Sequence, residues 1–175
     1  TMDSTQVFIL HPLGSIYFYK GEYELAAYYY EKAIEYNPAD YSFFGAAGWA
    51  YYAQGDREHA ADCFSKSIAL MKGEENIFYS RKALYYGLMG TQDSCHFYIN
   101  KMNIREDPME HSADAALTLS YIYLVLGEKE KAFIYLKSAL DRGYGWIDAK
   151  YHYIFRDLAD DPRYQKILAG ADDLK

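Results

Sequence analysis

Three residues near the middle of the chain combine side-chain types and spacing that suit metal binding. His59, Asp62 and Cys63 stand at positions i, i+3 and i+4, so they share one face if this segment is helical. All three side chains are metal ligands. The sequence shows no fourth ligand, and a closed structural zinc site takes four. We therefore expect these residues to lie on a solvated helix face, and we predict that the protein holds no metal ion.

Catalytic and cofactor-binding motifs are absent from the sequence. We find no phosphate-binding loop, zinc-protease, nucleophile-elbow or dinucleotide-binding pattern. The other histidines are scattered without a common spacing. The acidic pairs lie near helix or unit boundaries, where they favour helix N-termini and keep the chain in solution. These observations predict a protein that is not an enzyme and that takes no cofactor.

Composition and net charge indicate which kinds of partner the protein can bind. The chain has 175 residues, of which 51% are hydrophobic, and a formal net charge of −7. Such a chain can form a core but lacks the basic field of nucleic-acid binders, and no apolar run is long enough for membrane insertion. Two distant cysteines, Cys63 and Cys95, fit a reducing compartment. We expect the cytoplasm, and leave the periplasm open because Thr1 before Met2 suggests a cut N-terminal edge.

Four glycines, each followed by a polar or charged residue, recur along the chain. They are Gly21, Gly55, Gly90 and Gly127, at intervals of 34, 35 and 37 residues. Each follows an aromatic-rich stretch, and glycine can take the positive φ that ends a helix. The intervals are typical of helical repeats, and they divide the chain into units at about 7–40, 41–74, 76–109 and 113–146.

The units share further residue types at fixed distances from these glycines. A small residue stands seven positions before each glycine, and these are Gly14, Gly48, Ala83 and Ser120. A tyrosine stands four positions before each glycine, and these are Tyr17, Tyr51, Tyr86 and Tyr123. Small residues let two helices approach closely while bulky residues fill the space beside them. Each unit is therefore predicted to be an antiparallel helix hairpin.

At these residues the chain resembles the tetratricopeptide repeat (TPR) family. The family signature is matched best in the first unit, by Gly14, Tyr17, Gly21, Tyr23, Ala26, Tyr30, Ala33 and Pro38. Later units depart from it, with Lys72 where proline is usual and Lys82 where leucine is typical. The resemblance implies an all-α, right-handed superhelical α-solenoid in a single domain. It also implies a bacterial type of array, closed by capping helices in residues 147–175.

The resemblance further implies that the first helix of each hairpin lines a concave groove. In units three and four this face carries Ile77, Ser80, Arg81, Leu84, Leu88, Asp114, Leu117, Thr118, Tyr121, Leu124 and Val125. The candidate partner-binding residues are Phe8, His11, Ser15, Phe18, Tyr19, Trp49, Tyr52, Arg81, Leu84, Tyr121 and Leu124. Most are apolar or aromatic, and Arg81 alone fits a clamp for a terminal carboxylate. We therefore predict apolar anchoring, with Trp49, Tyr52 and Tyr121 as the main contacts.

The predicted function is a scaffold that binds a protein or peptide partner, rather than a nucleic acid. Two alternatives stay open: a regulatory or sensory region of a longer multidomain protein, and a small chaperone of the kind used in secretion. The groove could also be filled by the chain's own terminal segment. A homodimer could form through the groove or a terminal helix.

Removal of metal ions is expected to leave the protein unchanged. The His59, Asp62 and Cys63 face lacks a fourth ligand, so no metal-binding energy contributes to folding. Dialysis against a chelator should not alter the thermal midpoint measured by circular dichroism. A fall of several degrees would contradict the prediction.

Overall fold

The computed structural model describes residues 7–73, 75–102, 104 and 107–172, apart from the side chains of residues 7, 8, 171 and 172. Within this part the chain is all-α, and no β-strand occurs among the described residues. Consecutive helices pack in pairs. The predicted all-α fold of helix hairpins is confirmed. No helix in the described ranges combines the length and apolar character needed to cross a membrane.

The chain divides into two compact units, Thr1–Gly73 and Glu74–Lys175. Unit 1 contains α1 (Val7–Lys20), α2 (Tyr23–Tyr36), α3 (Tyr41–Gln54) and α4 (Arg57–Leu70). Unit 2 contains α5 (Asn76–Leu88), α6 (Gln92–Lys101), α7 (Ala113–Val125), α8 (Lys129–Leu140), α9 (Trp146–Tyr151) and α10 (Pro162–Asp172). Two 3₁₀ turns, Pro108–Glu110 and Tyr153–Leu158, precede α7 and α10.

Local sequence explains where the helices end and begin. All four repeated glycines have positive φ, and Gly55, with φ of +87°, shows how the turn is built. The N–H groups of Gly55 and Asp56 donate to the carbonyls of Tyr52 and Tyr51, which closes α3. The Asp56 carboxylate then accepts from the N–H of His59 and caps α4. At this turn the glycine ends one helix and the aspartate caps the next, whereas Glu22, Thr91 and Glu128 make no side-chain capping bond.

A glycine on each first helix of unit 1 lies against an aromatic ring on the second. A methyl group added at Gly14 would come within 2.6 Å of Cε1 of Tyr30, and one added at Gly48 within 2.6 Å of Phe64. Tyr30 and Phe64 are both buried. The predicted pairing of small and bulky residues is therefore present in α1–α2 and α3–α4.

The C-terminal segment packs on the hairpin formed by α7 and α8. The Asp161 carboxylate accepts from the N–H of Arg163 and caps α10. The guanidinium of Arg163 lies 4.7 Å from the ring centroid of Phe133 and pairs with Glu130, both on α8. The buried Tyr164 donates a hydrogen bond to the carbonyl of Ala149, so α10 also holds α9 in place.

Substitution of Gly48 by alanine is expected to destabilise the protein by about 1–3 kcal/mol. The added methyl group would overlap the fully buried ring of Phe64, which has no space to move. Gly170 is the matched control, since it also lies in a helix but has no atom within 4 Å of the added methyl group. Gly170→Ala should be neutral or stabilising by up to about 1 kcal/mol. Urea unfolding measures both, and equal effects would contradict the packing described here.

Candidate partner-binding site

Two aromatic residues of α3 form a half-exposed pair. The ring centroids of Trp49 and Tyr52 lie 6.0 Å apart in an edge-on arrangement. Trp49 also contacts the buried ring of Phe64 on α4, at 6.2 Å. The guanidinium of Arg57 lies 3.5 Å from the ring centroid of Tyr52. Phe64 and Arg57 therefore fix the orientation of two rings that still present part of their surface to solvent.

The predicted residues on α1 have different environments. The Tyr30 hydroxyl donates to Oγ of Ser15, and Oγ of Ser15 donates to the carbonyl of His11. The imidazole of His11 lies 5.4 Å from the ring of Tyr30 and 5.5 Å from that of Phe43, centroid to centroid. Burial lowers the pKa of His11, although Asp40 opposes the shift. His11 and Ser15 thus take part in the packing of α1 against α2 and α3.

Phe18 is only 4% exposed, and its ring packs against Tyr19 and Tyr23. The expectation that Phe18 lines an open groove is therefore wrong. Tyr19 remains half-exposed. The side chain of Phe8 lies outside the described residues.

In unit 2, a cleft of about 440 Å³ lies between α5 and α7. It is lined by Asn76, Ile77, Ser80, Arg81, Met102, Ile104, Glu110, His111, Ser112, Asp114, Ala115, Leu117, Thr118, Leu119 and Tyr144. Arg81 is the candidate residue that the structure brings to this cleft. Five further first-helix positions predicted for the groove also line it, namely Ile77, Ser80, Asp114, Leu117 and Thr118.

The connection before α7 supplies polar groups that the sequence reasoning missed. Glu110, His111 and Ser112 line the cleft, although none of them lies on a first helix. The connection is held against α8 because Arg142 donates to the carbonyl of His111 and Oγ of Ser138 donates to that of Pro108. The lining of this cleft is therefore more polar than the first-helix positions alone indicate. The one sequence signal was the long interval of 37 residues before Gly127.

Two other candidates in unit 2 are buried. Tyr121 is 8% exposed, because its ring stacks on His152 at 5.1 Å and contacts Phe155 at 5.3 Å, centroid to centroid. The C-terminal segment thus covers the residue expected to be an accessible anchor, and that expectation is wrong. Leu84 is 4% exposed, whereas Leu124 is half-exposed.

Residues 8–40, which span α1, α2 and the turn that follows, match the tetratricopeptide repeat family. The same hairpin geometry recurs in α3–α4, α5–α6 and α7–α8. Residues 8–40 are therefore a tetratricopeptide repeat, and the repeated helix pairs that follow support the TPR family. No curated protein matches it significantly.

The side chains of His59, Asp62 and Cys63, whose types suit metal binding, have other surroundings in the structure. Nδ1 of His59 lies 2.7 Å from a carboxylate oxygen of Asp56, and Asp62 pairs with Lys66 at 2.6 Å. Burial raises the pKa of the Cys63 thiol to about 11, so it is not a ready thiolate ligand. Among the described residues, no group of three or more His, Cys, Asp or Glu side chains could hold a metal ion.

The stability of this TPR protein is expected to fall as the pH drops from 6.5 to 4. Burial lowers the pKa of His152 from 6.5 to about 4, although Asp148 opposes the shift. Folding therefore favours the neutral ring. Its contribution is fully present above pH 6.5, and roughly 3 kcal/mol is lost as the pH falls through both pKa values.

The matched variant for this test is His152→Asn, since the asparagine oxygen can accept from the Ile154 N–H as Nδ1 of His152 does. Carboxyl groups titrate in both proteins, so the difference between their unfolding free energies isolates the histidine. That difference should shrink between pH 7 and pH 4 in urea unfolding. A difference independent of pH would show that His152 is not held neutral.

Proposed function

We propose that this TPR protein binds a polypeptide segment of a partner protein in the groove that its first helices line, on their faces turned away from the second helices, and performs no catalysis. TPR repeats generally mediate protein–protein interaction. The observation that carries the proposal is the cleft of about 440 Å³ between α5 and α7. Six of the first-helix positions that the TPR resemblance assigns to the groove line this cleft, and its volume is in the range of ordinary ligand pockets, which supports a binding role.

The aromatic pair on α3 supports a second contact, in unit 1. Large aromatic side chains dominate the binding energy of many interfaces when a partner excludes water from them. Trp49 and Tyr52 are held in place by Phe64 and Arg57, so little side-chain entropy is lost when they bind. We propose that apolar side chains of the partner segment pack against these two rings.

The charges in the cleft argue against recognition led by a carboxylate. Arg81 is the only permanently cationic side chain among the described residues that line it, and Glu110 and Asp114 line it too. A carboxylate clamp needs several convergent donors. The net charge of −7 supports a protein rather than a nucleic acid as partner. The free thiols of Cys63 and Cys95 support a reducing compartment such as the cytoplasm.

Replacement of Trp49 by alanine is expected to weaken binding of selected peptides more than tenfold, because an aromatic anchor commonly contributes about 2 kcal/mol or more. Peptides would be selected from a random display library on the full chain, and their affinities measured by fluorescence anisotropy. Tyr52→Ala should act in the same direction. It provides a second test if loss of the Trp49 contact to Phe64 disturbs folding.

Phe97→Ala is the matched control, because Phe97 is an exposed aromatic residue on the second helix α6. It should leave affinity unchanged. If the selected peptides bind the Trp49→Ala and Tyr52→Ala variants with the same affinity as the unaltered protein, the proposed contact is contradicted. If Arg81→Ala abolished binding while Trp49→Ala did not, recognition would be led by a carboxylate.

A further inference from the structure

The cleft between α5 and α7 contains one negative charge that the protein itself does not engage. Arg81 and Glu110 each have an interaction partner within the structure. The Asp114 carboxylate is exposed and makes no hydrogen bond or ion pair with any residue in the described ranges. Only its backbone carbonyl is used, as acceptor for the hydroxyl of Thr118. Asp114 therefore offers a ligand an exposed negative charge.

An aromatic ring lines the same cleft. Tyr144 is 46% exposed, although its backbone is fixed because its N–H donates to the carbonyl of Ala139. Gly143 and Gly145 on either side have positive φ, and Gly145 packs so closely on Leu117 that an added methyl group would lie 3.0 Å from Cδ1. The loop therefore fixes the backbone position of Tyr144 at the cleft that this residue lines. The face of a tyrosine ring attracts cations.

Apolar side chains form a further part of the cleft lining. Leu117 and Met102 are nearly buried in the lining, whereas Ile77 is 44% exposed beside them. Long cationic side chains lay their methylene groups along such surfaces and direct the charged head toward polar groups.

A carboxylate, an aromatic ring and an aliphatic wall together match one kind of side chain. A guanidinium group pairs with a carboxylate through two parallel hydrogen bonds and also stacks on aromatic rings, which a lysine ammonium does less well. We propose that the cleft binds an arginine side chain of the partner segment. This inference rests on the proposed function, because a polypeptide partner would deliver the arginine.

The probe for this inference is N-acetyl-arginine amide, compared with N-acetyl-citrulline amide, which has nearly the same shape but no charge. Each is titrated into the isotope-labelled full chain and followed by backbone amide NMR shifts. We expect the arginine probe to shift the amides of Asp114 and Tyr144 saturably. Its apparent affinity should be about tenfold higher than that of the citrulline probe.

Asp114→Asn should remove that difference. Asp93→Asn is the matched control, because Asp93 occupies the same second position of α6 but does not line the cleft. It should retain the full preference. Tyr144→Leu should weaken the arginine probe severalfold, and Tyr144→Phe should restore it, because the ring and not the hydroxyl meets the cation.

Equal shifts from the two probes, or equal losses in Asp114→Asn and Asp93→Asn, would overturn the inference. If the selected peptides depend on Trp49 but the arginine probe does not bind in the cleft, the arginine inference is overturned while the proposed function stands. In the opposite case, the arginine probe binds specifically in the cleft but no selected peptide depends on Trp49 or Tyr52. That result would support the arginine preference and contradict the α3 contact.

Discussion

The hairpins of unit 1 depend on a close approach between a glycine of the first helix and an aromatic ring of the second. Gly14 meets Tyr30 and Gly48 meets Phe64, and neither contact leaves space for a methyl group. The rings of Tyr30 and Phe64 fill the side of each first helix that faces the second helix. Trp49, next to Gly48, contacts the same Phe64 ring and keeps part of its surface exposed. The residue that closes the hairpin therefore also orients Trp49, which we propose as a partner contact.

In unit 2, different residues allow the close approach of the helices. Ala83 and Cys95 on the α5–α6 pair are fully buried, and Gly87 instead provides close contact with Val125 on α7. In the α7–α8 pair the small residue is Ser120, whose buried hydroxyl donates to the carbonyl of Leu117. A buried hydroxyl without a partner would be costly, so this internal hydrogen bond explains why serine is tolerated there.

The sequence predicted what local chemistry determines. The repeated glycines predicted the turns, and the small residues on the first helices predicted the hairpin contacts of unit 1. It did not predict the burial of Tyr121, because the C-terminal segment that covers this ring has no repeat period from which its path could be read. It also did not predict that Glu110, His111 and Ser112 line the cleft, because they lie in an irregular connection. The 3₁₀ turn of this connection, Pro108–Glu110, occupies the part of the chain where the repeat interval lengthens to 37 residues.

We propose that the partner contacts the first helices and not the second helices. Hydrogen–deuterium exchange of the full chain with and without a selected peptide tests it most directly. Binding should slow amide exchange in the first helices α3, α5 and α7, and leave the second helices α4, α6 and α8 unchanged. Protection confined to α4, α6 and α8 would contradict the account, because it would place the partner on the opposite face of the hairpins.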